Sequence, residues 1–206
     1  MKDKCLLCFG DIQNGLTLYE YVMKQDCICG TCRKQFELCN QIVKIGEIEV
    51  YALYFYNDFF ENSMFNYKEN HDVVLAKIFL FPHLKRLKKM YEDYVFVFAP
   101  SSKGKEEERG FSSLPLLFAD LKVEKQYLFE KTKEYKQSSQ PYQKRYQVKD
   151  IIVRNKHMLP TKKILLVDDM CTSGATLKRM YELVKNHEFE VALLTIGINK
   201  KLTTLQ

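Results

Sequence analysis

The chain has 206 residues, enough for one ordinary hydrophobic core and a small appendage. Hydrophobic residues make up 46% of it and aromatic residues 13%, which excludes a disordered chain. The net charge of +6 suits an anionic partner without requiring one, and no apolar run exceeds strand length, which excludes a membrane-spanning helix.

The N-terminus, Met-Lys-Asp-Lys-Cys5-Leu-Leu-Cys8, lacks the apolar core of a signal peptide. The expected location is therefore the cytoplasm, where thiols stay reduced and clustered cysteines point to metal. Cys5, Cys8, Cys27, Cys29, Cys32 and Cys39 all lie in the first 39 residues. Cys5-x-x-Cys8 and Cys29-Gly-Thr-Cys32 form two knuckles with the spacing that lets paired thiolates grip one tetrahedral Zn²⁺. Gly30 is expected to make the tight turn of the second knuckle, and Arg33 and Lys34 to lower thiol pKa. Cys27-Ile-Cys29 offers a shifted register in which Cys27 replaces Cys29, and Cys39 reads as a spare thiol. A disulfide or a redox dithiol is the alternative, disfavoured in a reducing compartment. Residues 1–45 form this cysteine module, too poor in apolar side chains to fold well without metal.

A strand is expected over 50–56, followed by helical apolar spacing through Phe59, Phe60, Met64 and Phe65. A second helix reads through Val73, Val74, Ala76, Ile78 and Phe79, with Pro82 as a break or restart. Residues 95–99 read as a buried strand and 101–108 as a polar, mobile segment. A helix near 113–121 and a strand near 127–130 follow. In the basic loop 131–146, Tyr135, Tyr142 and Tyr146 interleave with Lys131, Lys133, Lys136, Lys144 and Arg145. That pattern suits stacking of bases and pairing of phosphates in single-stranded nucleic acid, and equally a solvated basic loop. Further strands are expected at 151–153, 164–167 and 191–198. Strands alternating with helices predict an α/β domain over 46–206, with a parallel sheet flanked by helices and ligands at the strands' C-terminal edge. His71, His83, His157 and His187 show no metal-ligand spacing.

The most informative segment runs from Ile164 to Thr176. Four apolar β-formers end in paired carboxylates, Asp168 and Asp169, and a small hydroxylated loop follows: Thr172, Ser173, Gly174, Ala175 and Thr176. Leu177, Met180, Leu183 and Val184 then repeat at helical spacing. The unpaired N–H groups opening that helix can hold an anion, Gly174 permits close backbone approach, and the hydroxyls add donors. The acids cannot bind phosphate and should accept hydrogen bonds from sugar hydroxyls beside it. A site for ribose 5-phosphate is the expectation. No Walker loop or dinucleotide fingerprint is present.

This segment resembles the phosphoribosyl pyrophosphate (PRPP) motif of type I phosphoribosyltransferases. The chain as a whole resembles the competence protein F (ComF) family, phosphoribosyltransferase-like proteins with an N-terminal zinc ribbon. The cysteine knuckles with Arg33, the stretch 54–68 with Tyr56 and Lys68, Ala99-Pro100-Ser101, Arg109-Gly110-Phe111 and the Gln137-to-Arg145 spacing all fit that family. The resemblance implies a role in natural transformation: handling incoming single-stranded DNA alongside a DNA translocase or helicase. It also implies a cytoplasmic location, or one peripheral to the inner face of the cell membrane through partners. It further implies Pro100 and Ser101 in a pyrophosphate loop, with Lys103, Lys105 and above all Arg109 as partners of the pyrophosphate, and Mg²⁺ bridging pyrophosphate to sugar. Asp168, Asp169 and Arg109 would carry any catalysis. The alternative function is an active phosphoribosyltransferase acting on a nitrogen nucleophile. The chain departs from the family at Ser112 and Val148, where asparagine is usual, and at Glu106, Glu107 and Glu108, three acids beside an anion site. Thr172 stands where purine-salvage members of the fold carry an acid.

Overall fold

The computed structural model describes residues 4–18, 26–131, 152–154, 163–185 and 190–203. Its centre is a six-stranded sheet in the spatial order β1-β2-β8-β7-β3-β4. The strands are β1 (Leu38–Ile45), β2 (Ile48–Phe55), β3 (Val95–Phe98), β4 (Lys125–Gln126), β7 (Lys163–Cys171) and β8 (Glu190–Ile198). Between β4 and β7 in the chain, β5 (Phe129–Lys131) and β6 (Ile152–Arg154) pair separately and antiparallel. Strands β2, β8, β7, β3 and β4 run parallel, and only β1 is antiparallel. This is the α/β class expected.

The parallel strands are apolar on both faces because both faces are covered. Ile164 and Leu166 of β7 join Val50, Ala52 and Val97 in one core, against Leu177, Met180 and Val184 of helix α7 (Ala175–Val184). Leu165 and Val167 join Tyr54, Phe96 and Ile196 in the other. That second core also takes in Phe60, Met64 and Tyr67 of helix α2 (Asp58–Lys68), Ile78 and Phe79 of α3 (Ala76–Leu80) and Leu87 of α4 (Leu84–Met90). Cys5, Ile28, Cys29, Cys32 and Phe36 pack into the same core, so the cysteine-rich segment rests on the α2 face of the sheet.

The β1–β2 hairpin closes at Gly46-Glu47, where Gly46 has φ +64°, as a two-residue hairpin turn requires. The expected boundary between residues 45 and 46 falls at this turn, and Leu38–Ile45 is a strand of the main sheet.

Four local expectations are corrected. Residues 101–108 were expected to be a mobile polar stretch, but Lys103–Arg109 form helix α5. Its lysines and glutamates are good helix formers, Arg109 complements the C-terminal dipole, and Gly110 ends it at φ +75°. Strand β7 does not stop before the acids. It continues through Asp168 and Asp169 to Cys171, because β8 supplies partners as far as Met170↔Gly197 and Cys171↔Ile198. The second helix of the sequence divides into 3₁₀ turns at Val73–Leu75 and Phe81–His83 around α3, followed by α4, with Pro82 in the second turn. Helix α6 (Ser113–Leu117) is shorter than the expected 113–121.

Candidate ligand site and cysteine centre

The topology determines where a ligand can sit. From β3 the chain moves outward to β4, whereas from β7 it moves the other way, to β8. The sheet therefore reverses its winding between β3 and β7, and in open α/β sheets ligands bind at the carboxyl ends of strands at such a point. The β3–β7 ladder ends at Phe98↔Val167, with the Ala99 amide donating to the Val167 carbonyl at 2.8 Å. The next residues on each side are Pro100 and Ser101 after β3, and Asp168 and Asp169 in the part of β7 that β3 has left. All five proposed loop residues, from Thr172 to Thr176, follow on the same edge.

Asp168 and Asp169 are both partly buried. The Asp169 amide donates to Asp168 Oδ1 at 2.9 Å. On the other side Lys68, the last residue of α2, brings Nζ to 2.5 Å from Asp169 Oδ2. The Asp168 carboxyl is pushed up to about 7, chiefly by burial and then by the Asp169 charge, which Lys68 and Lys131 only partly offset. Of the two adjacent carboxylates, one is ion-paired and the other is reluctant to ionise.

The loop after β7 leads into helix α7 through Gly174. Thr172 and Ser173 are exposed, and Ala175 and Thr176 are half-buried. Gly174 caps α7 at φ +75°, and a Cβ there would lie 3.1 Å from Ile45 Cγ2, so both backbone and space favour glycine. Ser173 Oγ accepts from the Ala175 amide at 3.4 Å.

A cleft of about 140 Å³ is lined by Pro100, Ser101, Lys103, Glu106, Tyr127, Lys131 and their neighbours, and neither Asp168, Asp169 nor the loop Thr172–Thr176 is part of its lining. Arg109, expected to face pyrophosphate, is ion-paired with Glu69 just beyond the end of α2. Ser112 Oγ donates to Glu106 Oε1 at 2.9 Å, which ties one of the three acids of α5 back to the following loop. Lys105 lies within electrostatic reach of Lys131, and Lys131 of both acids. Gln137, Tyr135, Tyr142, Tyr146, Lys133, Lys136, Lys144, Arg145, Val148 and His157 lie outside the described residues, as does His187.

The cysteine centre is compact. The sulfurs of Cys5, Cys8, Cys29 and Cys32 all lie within 4.8 Å of one another, a set that can hold a metal ion such as zinc. Cys8 and Cys29 sulfurs are 3.8 Å apart. Burial pushes the Cys5 thiol up, but amides of Cys8, Cys29 and Leu7 more than offset this and bring it down to about 7. Burial raises Cys29 and Cys32. Cys27 is not in the cluster. Its Sγ turns to Asp26 Oδ1 at 3.6 Å, and burial with the Asp26 charge pushes it up to about 12. Cys39 packs on the α7 side of the sheet.

Gly30 serves close approach rather than a turn. It opens the single-turn helix α1 (Gly30–Arg33), and a Cβ on it would meet the Gly15 carbonyl oxygen at 2.2 Å. Arg33 docks the module onto the body of the fold. It makes two bonds to Asp26 at 2.7 Å each, and its third nitrogen donates to the Ile78 carbonyl at 2.8 Å. Lys34 donates to the Gly15 carbonyl at 3.0 Å.

Lys68 is the site residue to which sequence reasoning gave no role. Its only signal was its position at the end of a helix matching the family pattern.

A model of the phosphoribosyl transferase domain matches residues 107–201. Competence protein ComFC of Streptococcus pneumoniae (strain ATCC BAA-255 / R6) is 28% identical over 207 residues, covering 88% of this chain and 93% of that protein. Competence protein ComFC of Bacillus subtilis (strain 168) is 26% identical over 203 residues, covering 84% and 85%. Among solved structures, adenine phosphoribosyltransferase from Saccharomyces cerevisiae covers 84% of this chain and 90% of its own at 14% identity, with a TM-score of 0.45. The two competence proteins bear out the resemblance to the ComF family over most of the chain. No helix among the described residues is long and apolar enough to cross a membrane.

Proposed function

We propose that this chain is a competence factor that handles incoming single-stranded DNA in the cytoplasm, next to a DNA translocase or helicase. We propose further that it binds PRPP or a related ribose phosphate at the carboxyl edge of its sheet. The competence role is supported by likeness to two competence proteins along most of their length. The ligand reading is supported by one observation: the acid pair and the Gly174 loop follow the carboxyl end of β7, and Pro100-Ser101 follows that of β3, the two strands between which the sheet reverses its winding. In this reading the opening amides of α7 and the hydroxyls of Thr172, Ser173 and Thr176 hold the 5′-phosphate. Asp168 and Asp169 accept from the ribose hydroxyls, and Arg109, released from Glu69, turns to pyrophosphate. Mg²⁺ would enter with the pyrophosphate and neutralise its charge. Zn²⁺ on Cys5, Cys8, Cys29 and Cys32 would fix the fold of the cysteine module.

The DNA contact is proposed for the basic Tyr-interleaved segment 131–145. Each phosphate neutralised should add about −0.7 to the slope of log affinity against log salt. Replacing Lys133, Lys136 and Lys144 by alanine should flatten that slope. The role itself is tested by uptake: a strain carrying Asp168→Asn with Asp169→Asn should lose transformation by exogenous DNA while growing normally. Unimpaired transformation would remove the ligand site from the competence role.

A working phosphoribosyltransferase is the second reading, favoured by the lysine-lined cleft beside Pro100 and Ser101. Release of pyrophosphate from PRPP in the presence of one base or amine from a panel would establish it.

A further inference from the structure

We infer that Lys68 is a positioning residue, a built-in cation for the acid pair, which lets the site bind a ribose phosphate without a divalent ion on Asp168 or Asp169. The inference rests on the ribose-phosphate reading above. Its ground is the 2.5 Å pair between Lys68 Nζ and Asp169 Oδ2, whose side chains are only 16% and 17% exposed.

Lys68 is held where it is by its helix. At the start of α2, Asn57 accepts from the Phe60 amide at 2.9 Å and donates to the Gln35 carbonyl at 3.0 Å. Phe60, Met64 and Tyr67 are buried along its length. At its end the Tyr67 hydroxyl donates to the Ser113 carbonyl at 2.7 Å, pinning the residue next to Lys68. The helix C-terminus itself favours a cation. Strand alternation explains the partner. Asp169 shares the face of Leu165 and Val167, which pack in the core that α2 covers.

The chemistry then follows from charge. Two neighbouring carboxylates repel, and something positive must stand beside them if either is to stay ionised at neutral pH. A divalent ion is the usual answer, but Mg²⁺ needs near-ideal octahedral geometry and gives up water reluctantly. An ammonium already in contact with Asp169 repels a dication from the same carboxylate. Lys131, within electrostatic reach of both acids, adds to that repulsion. An ammonium has three donors, and Asp169 takes one, so Lys68 can orient the carboxylate toward a diol without occupying its second oxygen. Mg²⁺ is thereby confined to the pyrophosphate side of the ligand. Ribose 5-phosphate, which has no pyrophosphate, should bind without it, whereas PRPP should not bind well in its absence.

The test compares the zinc-loaded full chain with Lys68→Met, Lys68→Arg and the double variant Lys68→Met with Asp169→Asn, in buffer freed of divalent ions without a chelator. Two quantities are read: the shift in thermal midpoint on adding Mg²⁺, and ribose 5-phosphate affinity with and without Mg²⁺. The parent and Lys68→Arg should show no Mg²⁺ shift and an affinity indifferent to Mg²⁺. Lys68→Met should gain a Mg²⁺ shift that Asp169→Asn abolishes. Its affinity without Mg²⁺ should drop roughly tenfold or more, and Mg²⁺ should restore it. A Mg²⁺ shift equal in parent and Lys68→Met, or absent from both, overturns the inference. Should ribose 5-phosphate bind none of the proteins, the parent included, the ribose-phosphate reading fails, and the Mg²⁺ shift still decides the role of Lys68.

Discussion

Arg33 and Asp26 meet in a two-pronged ion pair, 2.7 Å at each contact, directly beside the four-cysteine cluster. The same guanidinium donates to the Ile78 carbonyl in α3 and lies 5.3 Å over the Phe36 ring. One side chain thus links Asp26, the helix carrying Cys32 and the body of the fold. Asp26→Asn should leave Arg33 part-buried with a weaker acceptor and cost roughly 1.5–3 kcal/mol of stability. Arg33→Lys should cost a similar amount, because an ammonium cannot make the bidentate contact and reach Ile78 together. Urea denaturation of the zinc-loaded chain measures both. A change below about 0.5 kcal/mol in each would mean that the module docks by its apolar contacts alone.

Metal analysis of the purified chain should find one zinc per molecule. Cys29→Ser should lose it, whereas Cys27→Ser and Cys39→Ser should keep it, since Cys27 faces Asp26 and Cys39 packs on the opposite side of the sheet. Gly30→Ala should also weaken metal retention, because its methyl group would collide with the Gly15 carbonyl and force the second knuckle apart. Retention of zinc by Cys29→Ser together with its loss from Cys27→Ser would establish the shifted register.

Two buried groups should leave opposite marks on the pH dependence of stability. His83 packs edge-on to Tyr54, and burial, with the nearby Arg33 and Arg86, holds its pKa down to about 4. An unfolded histidine titrates near 6.5, so between about pH 6.5 and 4 the unfolded chain binds the extra proton and stability falls with pH. Asp168 behaves in the reverse sense. Its folded pKa of about 7 lies above the unfolded value near 3.9, so its contribution is present at low pH and is lost as pH rises toward 7. His83→Gln should therefore flatten the acid-side loss, by up to about 1.4 kcal/mol per pH unit. Asp168→Asn should gain stability over the parent at pH 7.5 and less of it at pH 5. Denaturation midpoints of both variants across this range, parallel to the parent throughout, would contradict these assignments.

What could be read from the sequence was local. Cys-x-x-Cys spacing selects its own four-thiol geometry, and an apolar run ending in Asp168-Asp169 before a Gly-bearing loop announces a strand, an edge and a helix start. What could not be read depends on distant partners. The continuation of β7 past the acids needs β8 to pair with it. Cys27 and Cys29 are equivalent on spacing alone until Asp26 takes the former. Lys68 stands 101 residues before Asp169, and no local pattern links them. Helix α5 was hidden because its Ser-Ser-Lys-Gly start reads as loop, while its cap at Gly110 and its Lys/Glu content favour helix.

The central claim is tested most directly by calorimetry of the zinc-loaded chain with PRPP and Mg²⁺. The parent should bind, and Asp168→Asn with Asp169→Asn should weaken binding roughly ten- to hundred-fold by removing charged acceptors for the ribose hydroxyls. Gly174→Val should abolish it, since side-chain bulk at φ +75° against Ile45 closes the backbone approach to the phosphate. Equal affinity of the parent, the double asparagine variant and Gly174→Val would contradict the account.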